Sequence, residues 1–236
     1  MLVQSMNTTE ITTEVRRDYE IIQNTSIVRL AQEYDRERKK LKIDKTRIFT
    51  KEYCIRTAAK NNWLLFLRKR PSEEKYKGLP SIAICAVTYY YNETGLRVFN
   101  SSHPELLSVY NGHFFSRYNE RMKLNLNQPV EAIKHFFKYN GDISYTLTDK
   151  QDGDFVVGFC PGGFTLAEFQ NDRTWLVNKT FVSKDMIRPD QDEAAKALFF
   201  KEQLDLALGV NALYKNETAR GYDKDRLIAI NGYNPD

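Results

Sequence analysis

Apolar residues recur at helical spacing over residues 10–43. Ile11, Val15, Tyr19 and Ile22 form one stripe; Ile27, Leu30, Ala31, Tyr34 and Leu41 form a second. Asn24-Thr25-Ser26 between them offers an N-cap to a second helix. Residues 46–60 are ambiguous in period. Strand-like runs follow at Trp63–Arg70, Ser81–Tyr91 and Gly95–Asn100, and Asn92-Glu-Thr-Gly95 predicts a hairpin between the last two. Helical spacing returns over about 108–124. It returns again after Gln128-Pro129, through Val130, Ile133, Phe136 and Phe137, with Gly141 as the stop.

The period then changes to strands at Ile143–Thr148, Phe155–Cys160, Phe164–Phe169 and Trp175–Ser183. Asp152-Gly153 and Pro161-Gly162-Gly163 are tight-turn signals, so 142–183 reads as a four-stranded antiparallel meander. Beyond it, Asp190 or Asp192 can cap a helix over Glu193–Leu208, and Tyr214–Asp236 is weakly patterned. The pattern predicts a helical N-terminal arm over 1–60, a core domain over 61–187 and a helical C-terminal tail over 188–236. The fold class is α+β, an antiparallel sheet packed with helices.

A hydrophobic fraction of 42% with 13% aromatic residues is that of a chain with a real core. No run approaches the roughly 18–20 apolar residues of a membrane span. The start, MLVQSMNTTE, lacks the basic and apolar regions of a signal peptide, so the expected location is cytoplasmic, with no membrane partner. Cys54, Cys85 and Cys160 are far apart, and Cys85 and Cys160 read as buried apolar residues. Neither a metal nor a cofactor is indicated: His103, His113 and His135 are scattered, and no dinucleotide or Walker-type phosphate loop is present. The net charge of +4 is modest, yet from Arg36 to Lys51 basic residues far outnumber Glu37 and Asp44. That run, including Arg38, Lys39 and Lys40, reads either as an RNA-attracting patch or as a solvated helix face.

The segment Asn111–Met122, NGHFFSRYNERM, carries the candidate chemistry. On a helix, Arg117 lies about 40° and Arg121 about 80° from His113, with Glu120 about 20° the other way. Phe114, Phe115, Tyr118 and Met122 fall on a separate arc. One face can be buried while the other presents an imidazole, two guanidiniums and a carboxylate, a set suited to a phosphodiester. The same stripe, with an intrahelical Arg117–Glu120 pair, is equally an ordinary solvated face. His135, beside Phe136 and Phe137, reads as a hydrogen-bonded residue at the core edge.

Gly112-His113-Phe-Phe-Ser-Arg117-Tyr-Asn-Glu-Arg121, the order of two helices then a sheet, and the closing strand Trp175–Ser183 resemble the small RelE-like and BrnT-like toxin ribonucleases. The resemblance covers about residues 98–187. It implies a barnase/RelE-like core with added terminal helices, metal-independent RNA cleavage, and an antitoxin or other protein partner. On that reading His113 is the base or acid, Arg117 and Arg121 hold the phosphate, and Glu120 is the second proton carrier. Thr180 and Ser183 on the last strand would hydrogen-bond substrate, and Lys179 would add charge, although alternation sets it opposite Thr180. The alternative is a non-enzymatic protein–protein interaction module, with the helix face solvated or meeting an acidic partner.

Overall fold

The computed structural model describes residues 1–40, 49–69, 82–101, 106–141, 143–147 and 155–187. The predicted tail at 188–236 lies outside the described residues. Nine strands form one sheet: β1 (Phe49–Arg56), β2 (Asn62–Lys69), β3 (Ile82–Asn92), β4 (Gly95–Asn100), β5 (Leu107–Asn111), β6 (Ser144–Leu147), β7 (Phe155–Cys160), β8 (Gly163–Gln170) and β9 (Trp175–Ser183). Their spatial order is β1-β2-β3-β4-β5-β9-β8-β7-β6. Every pairing is antiparallel except β5 with β9, which is parallel over Leu107–Tyr110 and Trp175–Asn178. The molecule is α+β.

Two helical layers cover the sheet. Helix α1 (Thr8–Ile22) starts at Asn7, whose side chain accepts from the Glu10 amide while Glu10 reaches back to the Asn7 amide. One π-helical turn (Gln23–Ile27) joins it to α2 (Val28–Lys40). The cap expected at Asn24-Thr25-Ser26 does not form, because the Thr25 hydroxyl bonds back to the Ile21 carbonyl at 2.6 Å. The chain therefore continues through a widened turn. Ile11, Val15, Ile22, Leu30 and Tyr34 pack on Trp63, Leu65 and Leu67 of β2. The intervening Leu64 and Phe66 face the other layer, α3 (Gly112–Arg121) and α4 (Pro129–Asn140). So residues 1–40 cover one face of the sheet, and 49–56, where the periodicity was silent, supply its edge strand. That strand is tied to both layers: Lys51 pairs with Glu37 of α2, and Glu52 with Lys134 of α4 at 3.1 Å.

The helix expected over 108–124 is in fact a strand followed by a helix. Leu107 to Tyr110 are all buried, as a central strand covered on both faces must be, and such a strand loses the alternation that marks it. Asn111 ends the strand and caps α3, its side chain accepting from the Phe114 amide at 2.9 Å.

The sheet curls around α4. Asn140 accepts a bond from the Gly162 amide at 2.7 Å in the β7–β8 turn. The next residue, Gly141, abuts Arg68 of β2: a Cβ there would lie 2.5 Å from the guanidinium. In a flat sheet those two places would be roughly 25 Å apart at ordinary strand spacing. Adjacent residues, whose Cα atoms are about 3.8 Å apart, touch both only if the sheet folds inward. Inside the curl sits an aromatic cluster of Tyr110, Phe114, Phe115, Tyr118, Phe136, Phe137 and Phe181.

Candidate functional site

Helix α3 buries Phe114, Phe115 and Tyr118 and leaves His113, Ser116 and Glu120 exposed, so the predicted division of its faces is present. His113 sits in the first turn, and its side chain makes no hydrogen bond to the described residues. Arg117 donates to Glu120 at 2.8 Å across one helical turn, with both side chains substantially in solvent. Arg121 turns elsewhere. Its Nη1 donates to the Thr180 hydroxyl at 3.2 Å and to the Phe181 carbonyl.

The topology explains that turn. The β5–β9 ladder stops at Tyr110 and Asn178, because the chain leaves β5 to begin α3. The rest of β9 would present an open edge on this side, and α3 packs along it. Arg121 satisfies one of those carbonyls. Arg121 and Thr180 meet, and their contact closes the end of the sheet.

The remaining strand residues are placed differently from expectation. The register shifts between Leu166 and Ala167, which pair with Thr180 and Asn178. Lys179 is therefore the extra residue of a bulge rather than one step in a regular alternation. It is paired with Glu168 at 2.5 Å, and this contact holds the Glu168 carboxyl below its usual range. Ser183 is 1% exposed, so it is not on the surface where RNA would bind. Lys39 is exposed on α2, while the side chains of Arg38 and Lys40 lie outside the described residues. Since α2 and α3 cover opposite faces of the sheet, the part of the basic run on α2, Arg36–Lys40, and the His113 stripe are in different layers, and residues 41–48 of the run lie outside the described residues.

His135 occupies the predicted core edge. The Gly162 amide donates to Asn140 Oδ1, which directs the Asn140 NH₂ to the Tyr118 oxygen at 3.1 Å. The Tyr118 hydroxyl proton is left for His135 Nδ1, 2.8 Å away. Burial, reinforced by Lys138, holds the imidazole below its ordinary pKa. The unfolded chain therefore binds the extra proton more readily, and stability falls as pH drops below about 6.5. His135→Gln keeps an acceptor for Tyr118 and is expected to flatten the urea midpoint between pH 7.5 and 5.5. A midpoint equally pH-dependent in both proteins would rule His135 out as the cause.

Sequence reasoning missed a second polar centre, on the α1 side. Asp18 is 1% exposed and lies in phase with Val15 and Ile22. Its Oδ2 accepts from the Thr57 hydroxyl at 2.8 Å, the Asn61 amide at 2.7 Å and the Trp63 indole at 3.2 Å. A carboxylate three residues after one core position and four before the next was the available signal. The thiols of Cys85 and Cys160 are buried as expected, and burial pushes Cys160 up to about 11.

No family model, curated protein or solved structure matches this chain. Among the described residues, no helix is long and apolar enough to cross a membrane.

Proposed function

We propose that this protein is a non-enzymatic protein–protein interaction module that uses the exposed α3 stripe. One observation carries the reading: Arg121, the second phosphate-holding group of a ribonuclease site, is committed to the edge of β9. Arg117 is shared with Glu120, which leaves His113 on an open helix face. Positioned base, acid and cation in one cleft are what phosphodiester cleavage requires. The test is incubation of a mixed-sequence RNA with purified protein in EDTA, beside His113→Ala. No cleavage, or equal cleavage by both proteins, is expected. Metal-independent cleavage lost in the variant would overturn the reading.

A RelE-like ribonuclease or RNA-binding domain is the second reading. The 3.2 Å contact between Arg121 and Thr180 favours it, since it joins a strand hydroxyl to the last residue of the predicted stripe. The two readings part on the arginines. If Arg121 is a strut, Arg121→Ala costs about 1.5–3 kcal/mol through the lost charge-assisted bonds. Arg117→Ala then costs less than about 1 kcal/mol, as for a surface pair. Equilibrium urea unfolding measures both. Unchanged stability in Arg121→Ala, with loss of RNA binding in a filter assay, would favour the second reading.

A further inference from the structure

The π-helical turn and the hairpin between β1 and β2 enclose a groove of about 490 Å³ with the C-terminal half of α1. It is on the layer opposite the α3 stripe and does not depend on the function proposed for that stripe. Its volume is in the range of small-molecule sites, about 300–1,000 Å³. Single π turns also recur at functional sites.

The lining has three parts. Asp18 is at the buried end, Ile21 and Ile55 form apolar wall, and Arg56 and Ala58 stand exposed on the hairpin side. Asp18 is the informative group. Buried carboxylates are ordinarily paired with a cation. Here the three donors are neutral, all three bonds end on Oδ2, and no cation of the described residues pairs with Asp18. Oδ1 takes none of those bonds. Arg17, also on the rim, is held by Glu14, whereas Arg56 makes no ion pair among the described residues.

A deep carboxylate oxygen, a guanidinium at the mouth and an apolar wall beside them complement a molecule that carries an ammonium, an acid and an apolar chain. We infer that the groove binds a free aliphatic α-amino acid. Its ammonium donates to Asp18, its carboxylate meets Arg56, and its side chain lies against Ile21 and Ile55. Removing either charged group removes a charge-assisted bond, so both contribute to affinity.

Calorimetric titration of the full chain tests this with three ligands of one skeleton: L-leucine, 3-methylbutylamine, which lacks the acid, and 4-methylpentanoate, which lacks the amine. Leucine is expected to bind roughly tenfold or more tighter than either. Arg56→Ala should erase the advantage of leucine over the amine. Ala58→Trp, on the exposed hairpin and outside the Asp18 network, should fill the groove and abolish binding with the fold intact by circular dichroism. Asp18→Asn, where it folds, should erase the advantage of leucine over the acid. No leucine binding at millimolar concentration would overturn the inference. So would binding unaffected by Ala58→Trp, or 4-methylpentanoate binding as tightly as leucine, which would make the groove an anion site.

Discussion

Phe136→Ala is expected to remove about 3–5 kcal/mol of stability, the range for deleting a buried aromatic ring and leaving a cavity. Phe136 is fully buried on α4, at the centre of the curl. Its ring lies 5.0 Å from Phe114 and from Tyr118, at near-perpendicular angles, and 5.9 Å from Tyr110. It also faces Phe181 of β9 at 6.2 Å. Edge-to-face packing of this kind adds to the area term, and rings held by several elements collapse poorly into a void. Domains of ordinary stability have about 5–15 kcal/mol in total, so the variant should approach the unfolding threshold at 37 °C. Urea unfolding at 25 °C measures the loss, with Phe136→Leu as the partial rescue. A loss below about 1 kcal/mol would mean that α4 is not seated in the sheet as described.

The second large effect is expected at Gly163, in the β7–β8 turn. Its φ is +154°, and an added Cβ would lie 2.1 Å from the Val182 carbonyl oxygen of the neighbouring strand. The obstacle is backbone, with Val182 C and Ser183 Cα both at 3.0 Å, so no side chain can swing aside. Backbone strain of about 1–3 kcal/mol and an overpacking cost of similar size act together, and Gly163→Ala should lose about 3 kcal/mol or more. Gly95→Ala is the control. Its φ is +103°, but nothing lies within 4 Å of the added carbon, so only backbone strain remains. A smaller loss at Gly163 than at Gly95 would contradict the closeness of β8 and β9.

The sequence disclosed those elements whose burial is one-sided. Helix α4 carries Ile133, Phe136 and Phe137 on one face, and the β3–β4 and β7–β8 hairpins have their glycine turns, so pattern and chemistry agree. Strand β5 was illegible for the opposite reason: covered on both faces, its residues have no polar phase. The π turn was misread because threonine and serine at a helix boundary signal a cap only when their hydroxyls reach forward, and Thr25 reaches back. At the candidate site, angular spacing correctly put His113, Arg117 and Glu120 on the exposed side. It could not give the destination of Arg121, because a helical wheel carries no information about which neighbouring strand runs out of partners. Asp18 adds nothing to an apolar pattern, and its role depends on Asn61 and Trp63, which only the fold brings near.

The single parallel pairing divides the sheet into two halves of local pairings. Strands β1–β5 pair with neighbours in sequence, and so do β6–β9, so each half-sheet can assemble from local hairpins. Joining Leu107–Tyr110 to Trp175–Asn178 requires closing the loop formed by residues 111–174, an entropic cost of about 4 kcal/mol by chain-closure scaling. Non-local pairings of this kind are the slow ones. The chain has two tryptophans, Trp63 inside the first half-sheet and Trp175 at the first pair of the seam, its ring 5.8 Å from Phe99 across it. Both also contact α1, Trp63 through Asp18 and Trp175 through the Thr12 hydroxyl, so only the difference between them reports the seam. If the halves form before they join, the Trp63 fluorescence change is expected to precede that of Trp175 during refolding, and simultaneous changes would mean that the seam closes with the rest.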